Sequence, residues 1–369
     1  RGGNLVVTEQ GIRDTVRQVM LPVWNTWYFY ALYAGTCRGG AGVVPEPLDL
    51  STPEAAAASL ADLHVMDRYL LARTRALADT VGAQLDAYDI PAACQSVREY
   101  LDLLTNWYVR TSRDRFWNED LGAFRTLRTA LEVLMQVMAP LAPLLTEEIW
   151  RGLTGGRSVH LTDWPVLAAP AGGEDEEAAL VAAMEQVRDA VSTTHALRKA
   201  GRLRVRQPLR SVTLVVEDPD AVRPFAPLIA AEVNVKGVEL LTPHESALSV
   251  SHDLTVLPRE LDPAKRKLTS KIFAAAKQGA WERTGEGDDA GVLLPGVEGP
   301  DGAPLTLAPG EFTLTTRVEL GDVGDAAVSQ AAGVLASGGF VVLDTAVDDE
   351  LAAEGYARDV VRVVQDARK

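Results

Sequence analysis

The stretch Asn106-Trp107-Tyr108-Val109-Arg110-Thr111-Ser112-Arg113-Asp114-Arg115-Phe116-Trp117 closes an apolar helical run and interleaves three arginines with aromatic residues. Upstream, Val97, Leu101, Leu104 and Tyr108 recur at spacings of four, three and four, one face of an α-helix. Asn106, Arg110, Arg113 and Trp117 repeat that spacing. At about 100° per residue the second set lies nearly opposite the first. The pattern therefore predicts one face that packs and another that offers guanidinium groups and an indole. Guanidinium for phosphate and flat rings for unstacked bases are what a protein needs to hold single-stranded nucleic acid. The competing reading is structural: arginines on a solvated helix face, and Trp and Tyr in the core.

Length and composition bound the rest. At 369 residues the chain predicts two or three domains. An apolar share of 47% is that of a globular protein. No run of about 18 apolar residues suggests a membrane span, and no signal peptide is recognisable. The chain opens at Arg1 without Met and closes at Lys369 inside a helical pattern, so part of a longer protein is expected. Cys37 and Cys94 stand far apart with no His pair nearby, which argues against a zinc site and fits a reducing cytoplasm. The net charge of −15 argues against generic nucleic-acid binding. Two acid-free basic runs stand against that background: Arg198, Lys199, Arg202, Arg204, Arg206 and Arg210, then Lys265, Arg266, Lys267, Lys271 and Lys277. Phosphate attraction is short-ranged in physiological salt, so such patches can serve a selective RNA binder that is acidic overall.

The pattern predicts helices over 12–34, about 60–88, from Ile90 through the opening stretch, and over 122–138. Pro22 is expected to kink or break the first, and its aromatics Trp24, Trp27, Tyr28 and Tyr30 are expected in the core. Residues 35–53, with four glycines and three prolines, predict a loop. Thr146-Glu147-Glu148 reads as the start of a short fifth helix, completing a bundle over 1–165. A linker is expected over 166–180. The remainder, 181–369, reads as a smaller α+β region, possibly two subdomains, starting with a helix over about 176–200. Strands are expected over 211–217, 235–241, 312–318 and 339–345, helical segments near 225–232 and 263–279, and a terminal helix from Asp348. A mobile loop is expected over 284–303.

Catalytic signals are absent. Gly285-Glu286-Gly287-Asp288-Asp289-Ala290-Gly291 has the wrong spacing for a nucleotide loop, and its aspartates would repel phosphate. The five histidines show no triad-like or metal-like spacing. Glu147-Glu148 suits capping better than acid–base chemistry.

Taken in order, the motifs are similar to a known family. Asn106 to Trp117, Met138-Ala139-Pro140-Leu141-Ala142-Pro143 and Thr146-Glu147-Glu148-Ile149-Trp150 resemble the anticodon-binding helical bundle of class I aminoacyl-tRNA synthetases for isoleucine, valine, leucine and methionine. Ser158 to Pro165 looks like that bundle's closing segment. Leu197-Arg198-Lys199 through Arg204-Val205-Arg206-Gln207-Pro208-Leu209, Glu232-Val233-Asn234-Val235-Lys236, and Leu351 to Lys369 narrow the resemblance to the isoleucyl family. Thr111 and the Lys267-Leu268-Thr269-Ser270-Lys271 run depart from its usual pattern. The ATP-binding signatures His-Ile-Gly-His and Lys-Met-Ser-Lys-Ser and the editing insertion are missing, and residues 1–11 would be a remnant of the connection to the catalytic domain.

The resemblance implies a mainly α anticodon-binding bundle followed by a C-terminal α+β region. It implies tRNA contacts from Asn106, Arg110, Arg113, Arg115 and Trp117, and, from the second half, Arg204, Arg206 and Lys236. No catalytic or metal residue is expected. The parent enzyme would use ATP and magnesium to attach isoleucine to its tRNA; this chain would need no cofactor and would be inactive alone. The expected partner is isoleucine-accepting tRNA and the expected state a cytoplasmic monomer. The alternatives are a valyl- or leucyl-type half, or a free-standing RNA-binding module.

Overall fold

The computed structural model describes residues 7–246, 249–285, 291–299, 302–319 and 329–368. Residues 1–6, 247–248, 286–290, 300–301, 320–328 and 369, and with them most of the Gly285 to Gly291 motif, lie outside the described set. The chain divides into two compact units, Arg1–Met184 and Glu185–Lys369.

The first unit is helical: α1 Glu9–Thr15, α2 Leu21–Gly40, α3 Pro53–Leu60, α4 Val65–Asp86, α5 Ile90–Asp102, α6 Arg113–Trp117, α7 Leu121–Met138, α8 Pro143–Thr154 and the start of α9 Glu174–Ala200. Helix α7 is its centre, with Phe124, Leu127, Leu131, Leu134 and Met135 all inaccessible to solvent. Such all-round burial marks a helix surrounded by others; α4 and α8 are among its neighbours.

Several boundaries differ from the sequence reading, each for a local reason. Pro22 does not break its helix. A π-helical turn over Val16–Met20 widens the backbone just ahead of it, and α2 then continues. Only Tyr30 of the four aromatics is deeply buried; Trp24 and Tyr28 are exposed, so α2 is a surface helix on that side. Trp27 is half-buried, and a Cβ at Gly152 would come within 2.5 Å of its ring, so glycine there permits the close approach. Helix α8 starts at Pro143 rather than Thr146, because proline tolerates the first turn. Glu147 therefore caps nothing in its own helix. It accepts from Ser158 Oγ at 2.8 Å and from the Val159 amide at 3.0 Å, pinning the closing segment to α8. The expected linker is shorter, since α9 begins at Glu174, and it is tied down by Ala168 N–H to Leu50 O and Ala171 N–H to Pro53 O. Ion pairs from Arg68 to Glu176 and from Arg75 to Glu177 hold the first turn of α9 against α4.

The second unit is α+β. A four-stranded sheet runs β2 Val235–Leu241, β1 Leu209–Val215, β9 Phe340–Asp344, β8 Gln330–Val334, with β1 and β2 parallel and the other pairs antiparallel. The short helices α10 Pro219–Val222 and α11 Ala226–Val233 connect the parallel pair, as a crossover must. Two smaller sheets pair β3 Ser249–Val256 with β7 Phe312–Glu319, and β4 Glu282–Thr284 with β5 Gly291–Glu298 and β6 Pro304–Leu307. Helix α12 Thr269–Gln278 closes a separate core over them, built on Ile272, Val292, Leu294 and Leu307. Strand β5 thus occupies part of the stretch expected to be a loop. Its glycine and proline content hid the buried Val292 and Leu294. Helix α13 Asp349–Ala367 ends the described chain.

Candidate nucleic-acid interface

The opening stretch folds as predicted in its faces but not in its continuity. Val97, Leu101, Leu104 and Tyr108 are buried, and Asn106, Arg110, Arg113 and Trp117 are exposed. Between α5 and α6, however, Leu103–Val109 form a π-helical turn, and the helix breaks at Ser112. The wider turn lets Leu103, Leu104, Trp107 and Tyr108 all point inward. Such turns occur often at functional sites.

Asn106, Arg110 and Arg113 line one groove of about 420 Å³ together with Thr105, Val109 and four α2 residues: Pro22, Asn25, Thr26 and Phe29. Arg110 Nε donates to the Asn106 carbonyl at 2.9 Å, which orients its guanidinium along the groove side of the helix. Asn106 Nδ2 donates to Asp102 Oδ1 at 2.7 Å. Arg113 forms no ion pair among the described residues and is exposed. Trp117 is 76% exposed but does not line the groove.

Arg115 is different. Its guanidinium bonds both oxygens of Asp67, at 2.8 and 2.6 Å, and its Nε bonds Asp120 Oδ2 at 2.8 Å. Asp67 is wholly buried and also accepts from the Tyr108 hydroxyl at 2.6 Å. Burial opposes the charge on Arg115, but the bonds to Asp67 outweigh it and raise the guanidinium's pKa. Burial, then Asp67, pushes Tyr108 well above its ordinary value. Arg115, expected among the tRNA contacts, thus has its guanidinium engaged by Asp67 and Asp120 within the fold. Its partner Asp67 lies 48 positions upstream, out of reach of local spacing. Asp120 in turn caps α7 through the Gly122 and Ala123 amides. Burial tends to raise the Asp120 pKa, but Arg115 and these amides leave it lowered. Its stabilising effect is thus complete above the ordinary carboxylate range and lost as pH falls through the lower native value. Urea titrations of the chain should show stability dropping below about pH 4, and an Asp120→Asn variant should show a shallower drop.

In the second unit, the three motifs that lie far apart in sequence converge. Arg198 is completely buried and donates to the carbonyls of Arg204, Gln207 and Asn234 at 3.2, 2.9 and 3.0 Å. Burial alone lowers its pKa to about 10. Arg198 is thus a strut, not part of the basic patch that the sequence suggested. Asn234 ends α11 in the left-handed conformation, donates to Val205 O and accepts from Arg358. Gln207 donates to Leu351 O at 2.7 Å, and a Cβ at Gly355 would collide with its side chain.

A second cleft, of about 350 Å³, is lined by Arg202, Arg204, Arg206, Gln207, Tyr356 and Asp359 among others. The predicted cations of this unit, two in the cleft and Lys236 outside its lining, are already matched. Arg204 and Arg206 lie 2.8 and 3.2 Å from Asp359, and Lys236 lies 2.5 Å from Glu354. All three remain at least partly accessible to solvent. In the other basic run, Lys265 is bound to buried Glu311 at 2.6 Å and Arg266 to the carbonyls of Leu261 and Arg259, so both are structural. Among the described residues no group of three or more His, Cys, Asp or Glu could hold a metal. Among the same residues no helix is long and apolar enough to cross a membrane.

Residues 67–213 match the family model described as the anticodon-binding domain of tRNA ligase. The chain carries a tRNA-ligase anticodon-binding domain. Over its whole length it is similar to isoleucine–tRNA ligases: 48% identical to that of Bifidobacterium longum, 47% to that of Leifsonia xyli and 44% to that of Mycobacterium tuberculosis. All of the chain is covered in each case, and it spans about a third of the length of these relatives, matching a C-terminal part of them. The matched range of the anticodon-binding domain opens at Asp67 and includes Asn106, Arg110 and Arg113. Helix α2, the other wall of the groove, precedes it. The aromatic crowding of 12–34 reads as core and so hides Asn25 and Phe29 as groove residues; a lone amide among aromatics is the signal that could have found them.

Proposed function

We propose that this chain is the anticodon-recognising portion of an isoleucine–tRNA ligase and that the groove between α2 and the Leu103–Arg113 segment holds its RNA. The observation that carries this reading is the convergence of exposed Arg110 and Arg113 with Asn106 in one groove inside an anticodon-binding domain. An anticodon is a single-stranded loop whose bases can be splayed and read on their edges. Arg110 and Arg113 bind phosphate or base edges there, and Trp117, exposed on the next turn, stacks on or shapes the loop.

Arg204, Arg206 and Lys236 add long-range attraction from the second unit, weakened by the carboxylates that each already touches. Attachment of isoleucine with ATP and magnesium belongs to the full-length ligase, because these residues hold neither nucleotide signature. The partner is isoleucine-accepting tRNA and the working compartment the cytoplasm, with the protein acting as a monomer.

Titration of the chain with isoleucine tRNA and with a tRNA of different anticodon tests this. The isoleucine tRNA should bind more tightly, and its affinity should fall steeply as salt rises. Equal affinity for both, or no binding at moderate salt, removes the reading.

A further inference from the structure

One uncharged polar side chain in the groove has no structural duty. Asn25 is exposed on α2, lines the groove opposite Arg110 and Arg113, and its amide forms no hydrogen bond among the described residues. Around it, Phe29 supplies an apolar wall fixed by an edge-to-face contact with Phe116, centroids 5.1 Å apart. Across the groove, Asn106 donates one amide N–H to Asp102, and its side-chain oxygen is a further acceptor. The cavity of about 420 Å³ can admit a flat heterocycle but is too open to select by shape alone.

We infer that Asn25 is a specificity-determining residue that reads one splayed-out adenine of the bound loop, an inference that rests on the anticodon reading above. A carboxamide offers one acceptor beside one donor. Adenine presents the complementary pair, its 6-amino donor beside the N7 acceptor, whereas guanine presents two acceptors there and suits a guanidinium instead. Asn25 Oδ1 accepts from the adenine amino group and Nδ2 donates to the ring nitrogen. Arg110 and Arg113 meanwhile hold the flanking phosphates, and Phe29 lies along the base. Charge thus fixes the strand and the amide chooses the base, the usual division between phosphate and base contacts.

The test uses the whole chain and the anticodon stem-loop of an isoleucine tRNA, with each loop adenine replaced in turn by purine riboside, which lacks only the amino group. The wild-type chain should bind one of these loops about tenfold to a hundredfold more weakly than the unmodified loop. Asn25→Ala should bind the modified and unmodified loops equally, at the weaker affinity. Asn25→Asp keeps the shape and the acceptor but loses the donor, so it should also bind the unmodified loop weakly; near-ultraviolet spectra check that both variants stay folded. If Asn25→Ala still discriminates between the loops, or if no substitution matters to the wild type, the assignment of Asn25 is overturned. Binding that Arg113→Ala weakens, with Asn25 indifferent, overturns that assignment while the anticodon reading stands. Absence of RNA binding by the wild-type chain overturns both.

Discussion

Replacing Asp67 with asparagine should destabilise the helical unit by about 3–5 kcal/mol, the usual consequence of removing one partner from a buried ion pair. Asp67 is fully buried and accepts three short bonds, two from Arg115 and one from Tyr108. Asparagine has the same size but turns an NH2 group toward donors and leaves the Arg115 guanidinium, itself 18% exposed, without its countercharge. The damage should spread. Arg115 also holds Asp120, which caps α7, and Arg113 opens the same short helix α6 that carries Arg115. Denaturant unfolding at neutral pH measures the loss. A second change, Arg115→Met, made on top of Asp67→Asn, should recover part of it, because the stranded charge is then gone. A loss under about 1 kcal/mol for Asp67→Asn would mean that water reaches the pair and that the network does not organise the site.

The largest effect on binding should come from the pair Arg110→Ala and Arg113→Ala. Each cation on an RNA backbone or base edge typically contributes about 1–3 kcal/mol, and removing a cation that meets a phosphate lowers the salt slope by about one. Both side chains are exposed, and Arg110 Nε is bound to the backbone of its own helical segment, so stability should change by less than about 0.5 kcal/mol. Arg204→Ala and Lys236→Ala should weaken binding less, because their carboxylate partners Asp359 and Glu354 already offset their charge. Filter binding or fluorescence titration against isoleucine tRNA reads all four. An effect in the opposite order, with the second unit dominating, would relocate the principal RNA site to the cleft beside α13.

Periodicity alone makes the two faces of the 97–117 segment legible, because burial on a helix follows a fixed angle per residue. It cannot show that a π turn rotates Trp107 inward, since that depends on the neighbouring helices that the turn meets. Arg113 and Arg115 look alike in sequence. Only the fold brings Asp67 to one of them and leaves the other in solvent. The same holds for Arg198, whose burial under three backbone carbonyls contradicts every compositional expectation for arginine. In the second unit, β1, β2, β7 and β9 are readable from β-branched alternation, whereas β5 and β6 sit among Gly, Pro and Asp and are not. The groove's α2 wall is hidden because crowded aromatics ordinarily mean core, and here they leave Trp24 and Tyr28 exposed on a helix that also borders the groove.

Photo-crosslinking from 4-thiouridine placed in the anticodon loop of isoleucine tRNA tests the location of the RNA most directly. Crosslinks to peptides spanning 22–29 and 103–113 are the predicted result, and they should disappear with the Arg110→Ala, Arg113→Ala variant. Crosslinks confined to the second unit, with both groove segments untouched, would contradict the account.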